Sequence, residues 1–375
     1  MKRFSNSAAG FSLVEIMVAL VIGMVAAIVI LQMLALSEQR KRTTTSSGES
    51  QSDGVISFYQ MARDVGQGGY GFTAQSLFNC NATWKVPLGG AAATAIATAV
   101  PLAPVTINSA LIPAGDANSD TVLVMYGNSG NQPQGNVIYS EDATTKIYTT
   151  QMPASFAPGD RVIALPEAGC NNPPITLDSI TATAALNVTV ATGAAGVTNG
   201  TLYDLGPGPT ILAYAVRNGN LTVCDFILYD CGAAANASDT TKWVSIASNI
   251  VILRAQYGRD TLTTAPTVAT PPTYAKVDTW DQTTPTGNCA WTRVIAVRFA
   301  LVARNNQIDT DANLVTAINQ NAPVWAGSTG TDADTIDLSA TAVAAGATWQ
   351  NYRYKVIQSV VPIRNVAWMG VPVGC

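Results

Sequence analysis

Histidine is absent from this chain of 375 residues. With it go the commonest general base and the commonest metal ligand. Charge is scarce, at 12% of residues, and the net charge of −4 argues against phosphate-backbone binding as the main task. Lys and Arg are scattered, apart from Arg40, Lys41 and Arg42. No two cysteines form CxxC, which speaks against a zinc ribbon or a thioredoxin-like motif. No nucleophile stands with a base beside it. No proline breaks the first apolar run, where Gly23 is the one soft point. These absences point away from an enzyme and from a nucleic-acid partner.

What is there begins with Gly10 to Leu36. From Ile16 to Leu36 the only strongly polar residue is Gln32, and twelve residues are Ile, Leu or Val. On an insertion scale they supply on the order of −5 kcal/mol. About twenty apolar residues span a bilayer core as a helix. Glu15 is a lone carboxylate in this run, and a charge at the bilayer centre costs roughly 2.5 to 3.5 kcal/mol, so it asks for a partner. A secretory signal peptide fits worse, because its apolar region is about 7 to 15 residues long with a small-x-small site behind it.

A short leader with Lys2 and Arg3, then Gly10-Phe11, then Glu15, then the apolar helix resembles the class III signal of type IV prepilins and pseudopilins. The resemblance implies that a prepilin peptidase cuts between Gly10 and Phe11 and methylates the new N-terminus at Phe11. It also puts Glu15 in the place of the glutamate that pairs with a neighbouring subunit's terminal amine and sets register. The membrane would be the inner membrane, with the head in the periplasm. The basic triplet Arg40-Lys41-Arg42 runs against the usual cytoplasmic bias of loop charges. The leader and the cysteines outweigh it.

The expected layout is a leader over 1–10, a helix over 11–66 with its membrane segment at about 16–36, and a β head over 67–375. The fold class is α+β: a long N-terminal helix, its first half in the membrane, packed on an antiparallel β head of one or two lobes, pilin-like. Residues 43–54 are rich in weak helix formers, so a bend or fraying is expected there. Beyond them Val55, Phe58, Tyr59, Ala62 and Val65 recur at helical spacing and should pack on a sheet. Gly66 is the expected C-terminal cap. The run Gly66 to Gly71 matches GxGxxG by letter, but it ends a helix instead of opening one, so it reads as a turn.

The head reads as strands with long loops. Candidates are Thr121 to Tyr126, Asn136 to Tyr139, Arg161 to Leu165 and Leu186 to Ala191. Ile211 to Val216, Asn218-Gly219 and Leu221 to Val223 form the best hairpin signal, because Asn-Gly suits a type I′ turn. Ala91 to Val100 and Thr181 to Gly200 read as loops or edges. The Gly-Pro cluster at 205–210 is the candidate lobe boundary. Asn249 to Asp260, Trp291 to Arg304 and Tyr352 to Asn365 look like three long late strands. Their wording and order, with Gln256-Tyr257-Gly258 and the closing Arg364-Asn365, are similar to the PilW family of minor pilins.

Six cysteines in an exported chain suggest disulfides, and fifteen pairings are open. Cys224 and Cys231 are the favoured local pair, Cys289 is the candidate partner of the terminal Cys375, and Cys80 and Cys170 remain. No cofactor is expected. Asp116, Asn118 and Asp120, like Asp309, Asp311 and Asn313, resemble the first half of a calcium loop, but each lacks the central Gly and the closing Glu. A polar turn is the plainer reading. Arg254, Arg293, Arg298, Arg304, Arg353 and Arg364 read as a solvated strand face or a docking face for a partner subunit. Trp280, Trp325 and Trp349 are the aromatics to inspect for ligand binding.

The resemblance implies a minor pilin that helps initiate type IV pilus assembly and sits at or near the pilus tip, in twitching motility and adhesion. Its partners would be other minor and major pilins, the prepilin peptidase, the inner membrane and a tip adhesin. A type II secretion minor pseudopilin and a ligand-binding tip subunit are the alternatives. The leader yields the first test. Gly10→Val should leave the membrane-extracted protein at full-length mass, and loss of the ten leader residues in that variant would count against the assignment.

Overall fold

The computed structural model describes residues 12–72, 74–88, 94–96, 99–170, 175–261, 276–308, 321–369 and 375. One long helix, α1, covers Leu13–Gln67. The chain divides into two compact units, one ending at Glu49 and one running from Ser50 to Cys375. In the first unit, Leu13–Leu34 has a mean hydropathy of 2.9 with none of it buried, long and apolar enough to cross a membrane. Residues 43–54, the expected bend, straddle the division between the units.

The second unit is built from nineteen strands among the described residues. The first twelve are β1 (Asn81–Thr83), β2 (Lys85–Val86), β3 (Thr94–Ala95), β4 (Val100–Pro101), β5 (Val105–Ile107), β6 (Thr121–Tyr126), β7 (Asn136–Asp142), β8 (Ile147–Thr150), β9 (Arg161–Leu165), β10 (Ile175–Ala184), β11 (Asn187–Val190) and β12 (Thr201–Gly206). The rest are β13 (Thr210–Arg217), β14 (Asn220–Asp225), β15 (Val244–Ser248), β16 (Ile250–Arg259), β17 (Thr279–Asp281), β18 (Val294–Arg304) and β19 (Tyr354–Pro362). Two short helices complete it, α2 (Asn288–Thr292) and α3 (Arg364–Ala367).

The largest sheet runs β11-β8-β7-β12-β9-β10-β1-β4. β10 pairs with β9 through Leu177–Ser179 and with β11 through Ile180–Ala184, so six of these strands close into a ring. Closure leaves those strands no open edge to protect. Their inward residues, among them Ile138, Tyr148, Val162, Val188, Val190 and Leu202, make a core of their own. The Ala/Thr/Gly tract over 181–200, read as loop or edge, supplies the end of β10 and all of β11. Val188 and Val190 alternate inward there, and the ring needs both strands. The head is not wholly antiparallel, since β1 runs parallel to β10 through Ala82 opposite Ile175.

The second sheet is antiparallel in the order β15-β14-β13-β6-β5. Its hairpin turns at Asn218 and Gly219 with φ of 52° and 70°, the two left-handed positions that a type I′ turn demands. The third sheet is β17-β16-β18-β19, with the long β18 in register with β16 on one side and β19 on the other. The second expected late strand starts at Val294, because Trp291 lies in α2, and the third, expected to run to Asn365, stops at Pro362. Proline cannot donate to a ladder, and α3 follows directly.

The last turns of α1 lie against the second and third sheets. Phe58 sets its ring 4.6 Å from that of Phe299 in β18. Gly54 lets the helix come close: a methyl there would lie 2.7 Å from Ile357 Cδ1 and 3.3 Å from Ile250 Cδ1. Ser57 Oγ donates to the carbonyl of Ile246 in β15 at 2.8 Å. The buried stripe is Gly54, Ser57, Phe58, Met61, Asp64 and Val65. Tyr59, expected in it, is 71% exposed, so the stripe is rotated from the one drawn by apolar residues alone. The helix also passes Gly66 and ends at Gln67. The left-handed glycine is Gly69, with φ of 82°.

On its other face the third sheet is covered by Trp325, Ile336 and Leu338 from residues 321–351, packed on Ile252, Ala300 and Val302. Phe58 therefore joins α1 to the central strand of a sheet buried on both sides. Phe58→Ala should cost about 3 to 5 kcal/mol. Urea unfolding of the full chain in detergent checks it, and a midpoint unchanged from wild type would show that the helix is held by other contacts.

Candidate subunit-contact site

Three places carry the chemistry of this chain. The first is the start of α1. Glu15 sits in its first turn and is exposed, and its N–H donates to the carbonyl of Ser12 at 3.0 Å. No cation among the described residues pairs with its carboxylate. Gly10 and Phe11 lie outside the described residues.

The second place is the other end of α1. Asp64 is buried on the helix, its side chain 4% exposed. Its carboxylate accepts the hydroxyls of Tyr126 in β6 at 3.0 Å and Tyr214 in β13 at 2.6 Å. Burial, then the Asp64 charge, pushes the Tyr214 phenol well above its ordinary value, so it stays a donor. Arg63 touches the same carboxylate at 3.4 Å from an exposed side chain. The carbonyls of Gln67 and Gly68, left open where the helix stops, are taken by Asn365 Nδ2 at 3.0 and 3.2 Å. A groove of about 510 Å³ opens here, lined by Arg63, Gln67, Tyr70, Val361, Arg364 and Trp368 among others. Trp368 is 86% exposed on its rim.

The third place ties residues 321–351 to the third sheet. Arg254 Nη1 lies 3.5 Å from Asp120 Oδ1 and 3.3 Å from Asp334 Oδ1. Gln282 Nε2 donates to Asp120 Oδ2 at 2.7 Å and Asp334 Oδ2 at 3.1 Å. Asp120 also accepts Asn108 Nδ2 and the N–H of Ala255, each at 2.9 Å. Burial, then the nearby Asp120 charge, pushes Asp334 up to about 6 against the pull of Arg254 and Arg298. Burial raises Asp120 as well.

The calcium reading of the first acidic run gives way to these partners. Asp116 accepts the N–H groups of Asn218 and Gly219 at 2.9 and 2.7 Å and so clamps the hairpin turn. Asn118 donates to Asp337 at 2.9 Å, and Asp120 faces Arg254. Each of the three thus has its own partner in the head, and no group of three or more metal-ligating acids, cysteines or histidines forms among the described residues. The run at 309–313 lies outside them.

The cysteines join as Cys80–Cys170, Cys224–Cys231 and Cys289–Cys375. In a chain-entropy account the two long links, spanning 90 and 86 positions, are worth about 4.5 kcal/mol each and the short one about 2.5 kcal/mol. The last link ties the C-terminal residue to α2.

Most of the late arginines are internal fasteners, not a free face. Arg293 donates to the carbonyls of Asp260 and Cys375, at 3.1 and 2.8 Å. Arg298 donates to Gln256 Oε1 at 2.7 Å and lies over the rings of Trp280 and Trp325. Arg304 lies 4.9 Å over Tyr352. Of the aromatics singled out from sequence, Trp325 is buried and Trp280 and Trp349 are half-buried. Trp368 and Asp64 are the residues that sequence reasoning missed. The signal for Trp368 was its place shortly after the strand-ending Pro362, and Asp64 gave none.

Asp334 yields a test. Its folded-state pKa lies above the ordinary 3.8, so the stability it lends is present below about pH 4 and lost as pH rises through about 6. Asp334→Asn should flatten the melting temperature over that window. A variant that keeps the wild-type pH dependence would remove Asp334 from the account.

Residues 5–31 match the family model of the prokaryotic N-terminal methylation motif, and residues 213–365 match that of type IV pilus-assembly protein W. No curated protein and no solved structure matches the chain. The first match contains Gly10, Phe11 and Glu15; the second runs from β13 to Asn365, the residue that caps α1. Through its leader the chain is similar to proteins that carry the prokaryotic N-terminal methylation motif, and through its late strands to type IV pilus-assembly protein W.

Proposed function

We propose that this chain is a minor pilin that helps initiate type IV pilus assembly and resides at or near the pilus tip, with roles in twitching motility and adhesion. The observation that carries the reading is one chain with a methylation motif before an apolar helix and a PilW match in its head. The prepilin peptidase would cut at Gly10 and methylate Phe11. The helix would anchor the chain once in the inner membrane with its head in the periplasm, before passage to the pilus and cell surface. The layout of an N-terminal helix before a β-rich head of several sheets fits a pilin. The change of sheet between β12 and β13 supports a lobe boundary near 205–210. No catalytic role is read into the head.

The mechanism is helix bundling. A helix apolar all round is covered either by lipid or by other helices. Glu15 is costly in lipid unless paired, and a neighbour's terminal amine would pair with it. Charge pairing between one helix and the next subunit's N-terminus then sets register among pilins. A minor pseudopilin of type II secretion would share leader and helix; the PilW match favours the pilus. A ligand-binding tip subunit is the remaining alternative, and a tip adhesin the remaining partner.

Glu15→Ala tests the register role. Insertion, leader cleavage and head stability should be unchanged, while recovery of other pilins in a pulldown should fall. Normal processed protein with normal pulldown and normal piliation would sink it.

A further inference from the structure

The groove at the end of α1 brings exposed aromatic and basic side chains together. Ile56, Tyr59, Arg63 and Gln67 share one helix face by their spacing of three or four, and all are exposed. That face points away from the sheets and leads into the groove. The opposite wall is the end of β19, the edge strand of the third sheet, with Val361 and Pro362, and α3 beyond it. Trp368, at 86% exposed, closes the rim. Exposed apolar surface in a groove rimmed by polar residues marks an interaction surface.

The charge of the groove is one-sided. Arg63 and Arg364 both line it. The Asp64 carboxylate is turned inward, where it takes two tyrosine hydroxyls and one contact from Arg63 at 3.4 Å, so Arg364 is the guanidinium left open. No carboxylate among the described residues pairs with Arg364. A guanidinium fork accepts a carboxylate with two parallel donors. Beside it the lining offers Ala62, Val361, Pro362 and Trp368 as apolar surface. An apolar side chain of a peptide, next to its carboxylate, would cover that surface.

We propose that this groove receives an acidic peptide segment from the head of another pilin-type subunit. A carboxylate of that segment lies between Arg63 and Arg364, and an apolar side chain beside it covers Trp368 and the end of β19. The proposal rests on the minor-pilin reading and names the partner chemistry of the head. It differs from the role of Glu15, which concerns the helix of the first unit.

The experiment places a photo-crosslinking amino acid at Trp368 in the full-length chain, produced in cells with its co-expressed pilins, and maps the adduct by mass spectrometry. The expected adduct is an Asp- or Glu-containing segment in the head of another pilin-type protein. Arg364→Glu should lower its yield about tenfold, and Arg364→Lys should retain most of it. An acid-to-Arg change in the mapped segment should restore the adduct to the Arg364→Glu variant. A second variant, Trp368→Ala, lies on the exposed rim, so it should leave the melting temperature unchanged while weakening pulldown. An adduct on saccharide, on lipid or on a segment without acids would overturn the proposal, as would the absence of any adduct. Wild-type pulldown separates the two readings. If wild type retains other pilins while the Arg364 variants behave alike, the groove proposal alone fails. If wild type retains none, the minor-pilin reading fails and takes the groove with it.

Discussion

The head depends on one buried charge. Asp64 is carried into the interior by the last turns of α1, where an unpaired carboxylate would cost several kcal/mol. It is tolerated because Tyr126 and Tyr214, on adjacent strands of the second sheet, both donate to it. The helix therefore cannot rotate or slide against that sheet without stranding the charge. Phe58 and Gly54 fix the same helix against the third sheet. One turn of polar contacts and two turns of apolar ones thus hold two sheets around a single helix.

This arrangement explains why the late strands and the helix end go together. β19 brings Pro362 and then α3 to the point where α1 stops, and Asn365 closes the open carbonyls there. The PilW match ends at that cap. The wording of the last strands is thus tied to the helix, although about 300 positions separate Asn365 from Gln67. The Cys289–Cys375 link, just beyond, keeps the C-terminal residue beside α2.

Much of this was legible in sequence, for local reasons. Thr121 to Tyr126 and Arg161 to Leu165 became β6 and β9 residue for residue, because short β-branched runs bounded by turns have few alternatives. Asn218-Gly219 announced its hairpin because only such pairs accept two left-handed positions cheaply. What failed was non-local. Within the Ala/Thr/Gly tract over 181–200, Leu186 to Ala191 reads as a strand and is β11, but the end of β10 looks like a loop until a ring of strands needs it. Tyr59 looks like core until Asp64 and Ser57 claim the buried face. The late arginines look like a solvated face until the acids and tryptophans that hold them fold over from residues 279–349. In each case the deciding partner lies far away in the chain.

The same logic separates what is finished within the chain from what is not. Two acids of the head find partners inside it: Asp120 takes Arg254 and Gln282, and Asp116 takes the hairpin turn. A chain that satisfies Asp64 with two hydroxyls has the means to satisfy a carboxylate wherever folding demands one. Glu15 stands without a cation among the described residues, and Arg364 stands without a carboxylate. One lies on an apolar helix and one beside an exposed tryptophan, the two settings in which an isolated charge is most expensive to cover and most rewarding to pair. On the minor-pilin reading proposed above, these two open charges of opposite sign, on separate units of the chain, would each be completed by a neighbouring subunit.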